Sequence, residues 1–526
     1  MISVFSLSFL KAFLPEILSV FIAFVSFMLS CFIKDGKFKK DVFHVFATIS
    51  IALLIATAAL KTDSYIDYYD GFFASKNLFA NFVRDFSSQQ NFTTTLPKLI
   101  MLIFLALFTI YCFYKDVNSF SLFGMALLCF AGAAFLICAT SFLSLYLALE
   151  MQAIPAYIIA ASGLKVCKKD QFEGVLKYFI LSAVMSCLLL YGISIIYFNF
   201  GHFNFDAIII TSVSNISSEL LGFGSGAADA SKIISPIANK ASLSFGFALI
   251  IVALLGKLGC APFQFWVPDL YTATKKTPLM LLSTMPKVSV LIALALVLKI
   301  AYWTTGLSFV QNLQVVSIFC ICASFVIGAF GGIRQTNLKR LIAYSAILNA
   351  GFMALGVLSS SVSPFMPSPS IYLLYILFYG LGVFSLLSLI SAAEQKSGVK
   401  YVNLESLNGL AKKHPLIAAL ILCSVFSLIG VPPFAGFVVK FAVLYSAIVN
   451  GYIIASIFGV LASVVACFYY LKILNHIYFK PLKNEAEASK FYHCSTASKA
   501  IIAINVAILV ANLALIFTLP KLGLFS

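Results

Sequence analysis

Apolar runs of about 20 residues recur along the whole chain, and each is long enough for an α-helix to cross a bilayer core of about 30 Å. The polar segments between them are short, and the longest cover 61–96 and 200–242. The pattern therefore predicts an all-α polytopic membrane protein, with 1–526 as one integral membrane domain. The fourteen predicted spans are 12–33, 42–60, 97–114, 119–138, 141–164, 174–199, 243–266, 278–303, 312–333, 338–358, 370–394, 414–446, 451–479 and 498–519.

The composition supports lipid as the main solvent of this chain. Of its 526 residues 61% are hydrophobic and only 10% are charged, whereas soluble domains average about 25% charged residues. The net charge of +16 could indicate nucleic-acid binding. However, 21 basic residues fall in the odd-numbered loops, against nine in the even loops and termini. The positive-inside rule then places the odd loops in the cytoplasm and both termini outside, with no nucleic-acid partner.

A few ionisable residues remain inside the predicted spans. They are Glu16, Glu150, Lys177, Lys257, Lys287, Lys440 and Lys472. A charge at the bilayer centre costs about 2.5–3.5 kcal/mol on insertion scales, so such residues are candidates for an ion or proton path. Three of these residues have a simpler, structural explanation. Lys472 can extend to the cytoplasmic surface, Glu16 suits the first turns of a helix, and Lys177 can pair with Glu173 four residues earlier.

Glu150, Lys257 and Lys287 are the strongest candidates for moving protons. Burial disfavours the charged form of a lysine, and a nearby carboxylate favours it. An amine beside one acid can therefore gain or lose its proton near neutral pH. A row of such groups joined by water could pass protons if an external reaction drives its equilibrium.

Two spans carry helix breakers close to a lysine. The first is GKLGCAPFQFW at 256–266, and the second is SLIGVPPFAGFVVK at 427–440. Interrupted helices inside a membrane free backbone groups to line a polar cavity, and paired interruptions indicate inverted repeats. We predict two inverted five-helix repeats with broken helices, at about 119–303 and 312–479, with flanking helices within 1–114 and 498–519.

Five stretches taken together resemble a known family. They are ALEMQAIPAY, FEGVLKYFILSAVMS, GKLGCAPFQFWVPDLY, RQTNLKRLIAYSAI and GVPPFAGFVVKF, and their order and spacing are similar to those of the antiporter-like membrane subunits of respiratory complex I, the NADH-quinone oxidoreductase. The last broken helix carries Lys440, where the M branch of the family has glutamate. The chain ends after the fourteenth span, where the L branch continues into a lateral helix. The resemblance is therefore to the N branch.

The resemblance implies a role for each buried charge. Glu150 would pair with Lys177, which would modulate Lys257; Lys287 would lead to the second repeat; and Lys440 would end the path on the periplasmic side. Quinone reduction would occur elsewhere in the complex, with flavin mononucleotide and iron–sulfur clusters in other subunits and no cofactor or metal in this chain. M-like and K-like subunits would be its neighbours in a bacterial inner membrane.

Some positions depart from the family pattern, and other functions share this architecture. Gln264 and Asn349 stand where histidine is frequent, TATKKTP replaces a more usual loop, and Pro286 precedes Lys287. One alternative is a subunit of a cation/proton antiporter. A second is the related pump of a membrane-bound hydrogenase or formate hydrogenlyase, and a third is a structural membrane spacer.

Overall fold

The computed structural model describes residues 14–32, 37–59, 96–112, 120–162, 169–212, 240–305, 307–361, 370–397, 402–481 and 496–518. The regular structure in these ranges is helical, apart from two isolated β-bridges, so the all-α prediction is confirmed. Both termini and most of the lysine-bearing loops lie outside the described residues. The predicted orientation across the membrane therefore stays a prediction.

The described residues form nineteen α-helices, numbered here in chain order. Before the first break they are α1 Leu14–Phe32, α2 Lys37–Ala59, α3 Leu96–Cys112, α4 Phe120–Ile137, α5 Phe142–Ala161, α6 Lys169–Phe200, α7 at 205–212 and α8 Lys240–Leu258. After it come α9 Trp266–Ala273, α10 Lys276–Leu282, α11 Met285–Thr305, α12 Leu307–Ile333, α13 Leu338–Ser361, α14 Ser370–Ser397, α15 Leu410–Lys413, α16 Pro415–Ile429, α17 Ala435–Val449, α18 Ile453–Tyr478 and α19 Thr496–Thr518.

Each predicted span has a helical counterpart. Within the described ranges, nine helices are long and apolar enough to cross a membrane, and shorter apolar helices account for the other spans. The long span at 414–446 is divided into α16 and α17 at its Gly and Pro residues, as predicted. The span predicted at 243–266 ends earlier, because α8 stops at Leu258 and the chain resumes as α9 after a non-helical segment.

The two halves share details that support a repeat. An isolated bridge joins Ser141, just before α5, to Asn204, and the equivalent bridge joins Asn337, just before α13, to Asn403. The helix pairs α4–α5 and α12–α13 also approach each other through glycine. A Cβ added at Gly132 would lie 2.5 Å from the backbone nitrogen of Gln152, and one added at Gly328 would lie 2.6 Å from the backbone nitrogen of Leu348.

The offset between equivalent helices explains why the repeats are inverted. Counting from α4, five membrane crossings come before α12. They are α4, α5, α6, α8 with α9, and α10 with α11. Because five is odd, equivalent helices cross the membrane in opposite directions. The start and end of each repeat remain predictions, since no landmark in the structure bounds them.

The break between α16 and α17 depends on two glycines. Gly430 ends α16 with a φ of 86°, a left-handed conformation that glycine adopts without steric cost. Gly436, in the first turn of α17, lies against the last turns of α16. A Cβ at Gly436 would lie 1.8 Å from the Ser427 carbonyl oxygen, so a side chain there would force the half-helices apart.

We therefore expect Gly436→Ala to destabilise the protein by about 1–3 kcal/mol or more, because overpacking against backbone cannot be relieved by a side-chain rotation. The melting temperature of the purified protein measures this effect. Gly356→Ala is the matched control in α13, where the nearest atom would be 3.3 Å away and small shifts suffice. Equal melting temperatures for the two variants would contradict the proposed close approach.

Two of the lysines that the sequence analysis counted among the basic loop residues are buried. Lys98 lies in the first turn of α3, is 4% exposed and pairs with Glu16. Lys276 begins α10, is 8% exposed and pairs with Glu394 of α14 at 2.7 Å. Both loop assignments were wrong, because a lysine near a helix end is buried when a neighbouring helix supplies a carboxylate.

Candidate functional site

The centre of the first repeat contains an ion pair between α5 and α8. The Lys257 amine lies 3.3 Å from Glu150 Oε1, and the two side chains are 7% and 30% exposed. Ser186 of α6 donates a hydrogen bond to the same carboxylate oxygen. The carboxylate is therefore held by an amine on one helix and a hydroxyl on another, although it lies in the middle of an apolar helix.

The broken helix determines where the Lys257 amine lies. Lys257 is in the last turn of α8, because the chain leaves the helix at Gly259, whose φ is 90°. The C-terminal end of a helix carries partial negative charge, which favours a cation. The break therefore gives a buried amine a favourable electrostatic position that an uninterrupted helix would not provide.

A cavity of about 40 Å³ lies beside this ion pair. It is bounded by α5, α6, α8, α11 and the start of α9. Its lining includes Gln152, Tyr178, Ser182, Lys257, Trp266 and Pro286. A water molecule needs about 10–15 Å³ by this measure, so the cavity has room for a few waters with polar partners.

Lys177 is not part of the Glu150 site. Its amine lies 2.6 Å from Glu173 and 2.8 Å from Asp269, and its side chain is 47% exposed. The pairing of Glu150 with Lys177, which the resemblance implied, was therefore wrong for this structure. The alternative ion pair with Glu173 is confirmed. Asp269, which the sequence analysis did not single out, also lies 3.8 Å from the Arg340 guanidinium.

Lys287 lies deeper, near the start of α11. It is 6% exposed, and its amine lies 5.4 Å from the centroid of the Tyr379 ring of α14, within the range of a cation–π contact. Among the described residues no carboxylate lies within ion-pair distance of it. Lys287 thus joins the first repeat to α14, a helix of the second.

Hydroxyl and amide groups connect α14 to α13 and α18 within the second repeat. Tyr375, one turn from Tyr379, donates a 2.7 Å hydrogen bond to Asn349 Oδ1 of α13. Asn349 in turn donates to the Ser345 carbonyl oxygen at 2.7 Å, and the Ser345 hydroxyl contacts Tyr470. The position where the family often has histidine is therefore occupied by an amide that is fixed on both sides.

Lys440 lies at the second helix break. Its amine donates to the carbonyl oxygens of Leu428 and Ile429 at 2.8 and 2.9 Å, which are backbone groups freed at the end of α16. It also lies 5.7 Å from the Phe352 ring, which stacks on Tyr375. Both lysines therefore place an amine at the C-terminal end of the half-helix that precedes a break. Lys257 belongs to that half-helix, whereas Lys440 belongs to the half-helix that follows the break.

Of the five predicted site residues, the structure brings Glu150 and Lys257 into contact. Lys287 instead lies over the Tyr379 ring of α14, and Lys440 lies over the Phe352 ring of α13. Sequence reasoning singled out Asn349 but missed Tyr375, Tyr379 and Ser345, because one polar side chain changes the mean hydropathy of a whole span little. Gln264, which it also singled out, lies in the first break, is 5% exposed and has no hydrogen-bond partner for its Oε1 among the described residues.

The family of the chain is identified by its match to known proteins. Residues 139–466 match the family model described as NADH:quinone oxidoreductase/Mrp antiporter, transmembrane. The chain belongs to this NADH:quinone oxidoreductase/Mrp antiporter family. A curated relative from Pelagibacter ubique, named NADH-quinone oxidoreductase subunit N, is 30% identical over 471 residues, or 89% of each chain. The predicted resemblance to the N branch is confirmed.

Solved structures share the fold of this NADH:quinone oxidoreductase/Mrp antiporter family member. A chain of respiratory complex I from Thermus thermophilus with bound aureothin superimposes with a TM-score of 0.68 at 20% identity, covering 96% of this chain and 98% of that one. A chain of the Mrp complex from Dietzia superimposes with a TM-score of 0.70 at 19% identity, covering 98% and 96%. The fold alone therefore does not separate a redox-driven pump from an antiporter.

Proposed function

We propose that this chain is a proton-translocating membrane subunit of an NADH-quinone oxidoreductase. In this proposal Glu150, Lys257, Lys287 and Lys440 carry protons, and electron transfer from NADH to quinone in other subunits drives them. Flavin, iron–sulfur clusters and quinone would bind those other subunits, and M-like and K-like membrane subunits would flank this chain. The membrane would be the bacterial inner membrane, with both termini periplasmic.

The contact between Glu150 and Lys257 beside a cavity carries the proposal. A buried amine in contact with one acid changes its affinity for a proton when the acid moves or is neutralised. The cavity supplies room for water on one side of the pair, and water is required for proton transfer between groups that do not touch. The ion pair can therefore close or open according to the charge of its surroundings.

Lys177 has a different role in this proposal. It lies near the start of α6 between Glu173 and Asp269, where it links α6 to α9, the second half of the broken helix. A change of charge near Lys177 would therefore act on Lys257 through the position of α9 rather than through direct contact with Glu150.

Vesicles containing the native assembly provide the test. Addition of NADH and quinone should acidify the lumen of inside-out vesicles, and omission of quinone should abolish the acidification. A cation/proton antiporter would instead exchange sodium or potassium for protons under an imposed gradient, with no quinone present. Proton movement that depends on sodium or potassium and not on quinone would overturn the proposal.

A further inference from the structure

The Gln152 side chain lines the cavity beside Lys257 and bonds α11, the helix that carries Lys287. It belongs to α5, two residues after Glu150, and is 3% exposed. Its Oε1 accepts a 2.8 Å hydrogen bond from the Ser289 hydroxyl of α11. Ser289 is two residues after Lys287, so this bond connects the helix of the acid to the helix of the second relay lysine.

The other end of the Gln152 amide has no protein partner. Its Nε2 is buried and has no hydrogen-bond partner among the described residues, yet Gln152 lines the cavity that Lys257 also lines. Buried donors are almost always satisfied by protein or by ordered water. The unpartnered Nε2 of Gln152, in a residue that lines the cavity beside Lys257, therefore indicates a bound water.

The cavity extends from Lys257 to the first turn of α11. Pro286 and Val290 line it, and Lys287 and Ser289 lie between them in the chain. Ser289 is held in place by its partner Gln152 and by a 3.0 Å contact with the Pro286 carbonyl oxygen. The amide is thus anchored by Ser289 in the wall of the cavity that Lys257 also lines.

We propose that Gln152 is a positioning residue that holds the water connecting Lys257 to Lys287. The proposal rests on the proposed proton-translocating function and adds a group to it. An amide neither gains nor loses a proton near neutral pH, so Gln152 orients the water while the lysines exchange the proton. The Ser289 hydroxyl anchors one end of this amide.

Two variants of Gln152 separate this role from packing. Gln152→Met has nearly the same length and no hydrogen bonds, and Gln152→Asn keeps the amide but is shorter. If Gln152 positions water, the Met variant should translocate protons about five- to tenfold more slowly. The Asn variant should retain most of the activity. A packing role predicts the reverse order, because Met fills the space and Asn leaves a void.

The measurement is the ratio of proton translocation to NADH oxidation in the assembled complex, with assembly measured separately on native gels. Ser289→Ala should also lower the ratio, because it removes the anchor of the Gln152 amide. In a double variant with Gln152→Met it should lower the ratio little further, because the amide is already gone. Asn505→Leu is the matched control, because Asn505 is 2% exposed and its amide donates a hydrogen bond to the Ser388 hydroxyl, but outside the path between the lysines.

Lys257→Ala separates failure of this inference from failure of the proposed function. A normal ratio in Lys257→Ala would overturn the function. A reduced ratio in Lys257→Ala together with a normal ratio in Gln152→Met would overturn only the role of Gln152. A high-resolution map of the native complex gives a test independent of activity: a water should lie about 2.7–3.2 Å from Nε2. A dry cavity would overturn the inference.

Discussion

Replacing Lys257 with alanine should abolish most of the coupled proton translocation while the complex still assembles. The substitution removes the amine that contacts Glu150 and lines the cavity. Groups that accept and donate protons typically contribute about 10²–10⁴-fold to the rate of a proton-transfer step. We therefore expect translocation through this subunit to fall at least about tenfold, measured as proton release per NADH oxidised.

Glu150→Gln provides a second variant at the same site. It retains the shape of the side chain and an oxygen that can accept the Ser186 hydrogen bond, but it removes the negative charge. Loss of coupling in this variant would show that the charge, rather than the packing of α5, is required.

Lys412→Ala is the matched control for removing a lysine. Lys412 is an exposed lysine of α15, outside the membrane spans, and it should be replaceable without effect. An assembled Lys257→Ala complex with a normal proton-to-electron ratio would contradict the prediction.

The positions of the spans could be predicted from the sequence, because lipid imposes a simple requirement. Every backbone polar group must be satisfied within the segment, so long apolar helices are needed and their length is visible in the sequence. The interruption between α16 and α17 was also visible, since Gly430, Pro432, Pro433 and Gly436 lie together in one long apolar run. These features depend on residues that are close in the chain.

The partners of the buried charges could not be predicted in the same way. Glu150 contacts Lys257, 107 residues later, and Lys177 contacts Asp269, 92 residues later. Which pairs meet depends on the rotation and packing of separate helices, and spacing along the chain does not encode this directly. The motif that contains Glu150 was recognised, but its partner was assigned wrongly.

The roles of uncharged polar residues were harder still to predict from the sequence. Gln152 and Ser289 lie in stretches that read as ordinary apolar helix, and their contact becomes meaningful only beside a cavity. Ser and Gln occur in membrane helices as packing or hydrogen-bonding residues, so neither residue type indicates a water path by itself. Geometry, rather than residue type, distinguishes Gln152.

The second large expected effect concerns stability, and it arises from the buried ion pair between α1 and α3. The Lys98 amine lies 2.5 Å from Glu16 Oε1 and 2.9 Å from the sulfur of Cys138, and the two charged side chains are 5% and 0% exposed. Removing one partner of a buried ion pair typically costs about 3–5 kcal/mol. We therefore expect Lys98→Met to destabilise the protein strongly and lower the yield of assembled complex.

The double variant Glu16→Gln, Lys98→Met tests whether the charge is the cause. Because it removes both charges and keeps similar side-chain volumes, it should recover most of the stability lost in Lys98→Met. Glu173→Gln is the exposed control, since its pair with Lys177 is in contact with solvent and should contribute little. The melting temperature of the purified protein measures all three variants. If the double variant is as unstable as Lys98→Met, the loss comes from packing at the junction of α1, α3 and α4, and not from the loss of the ion pair.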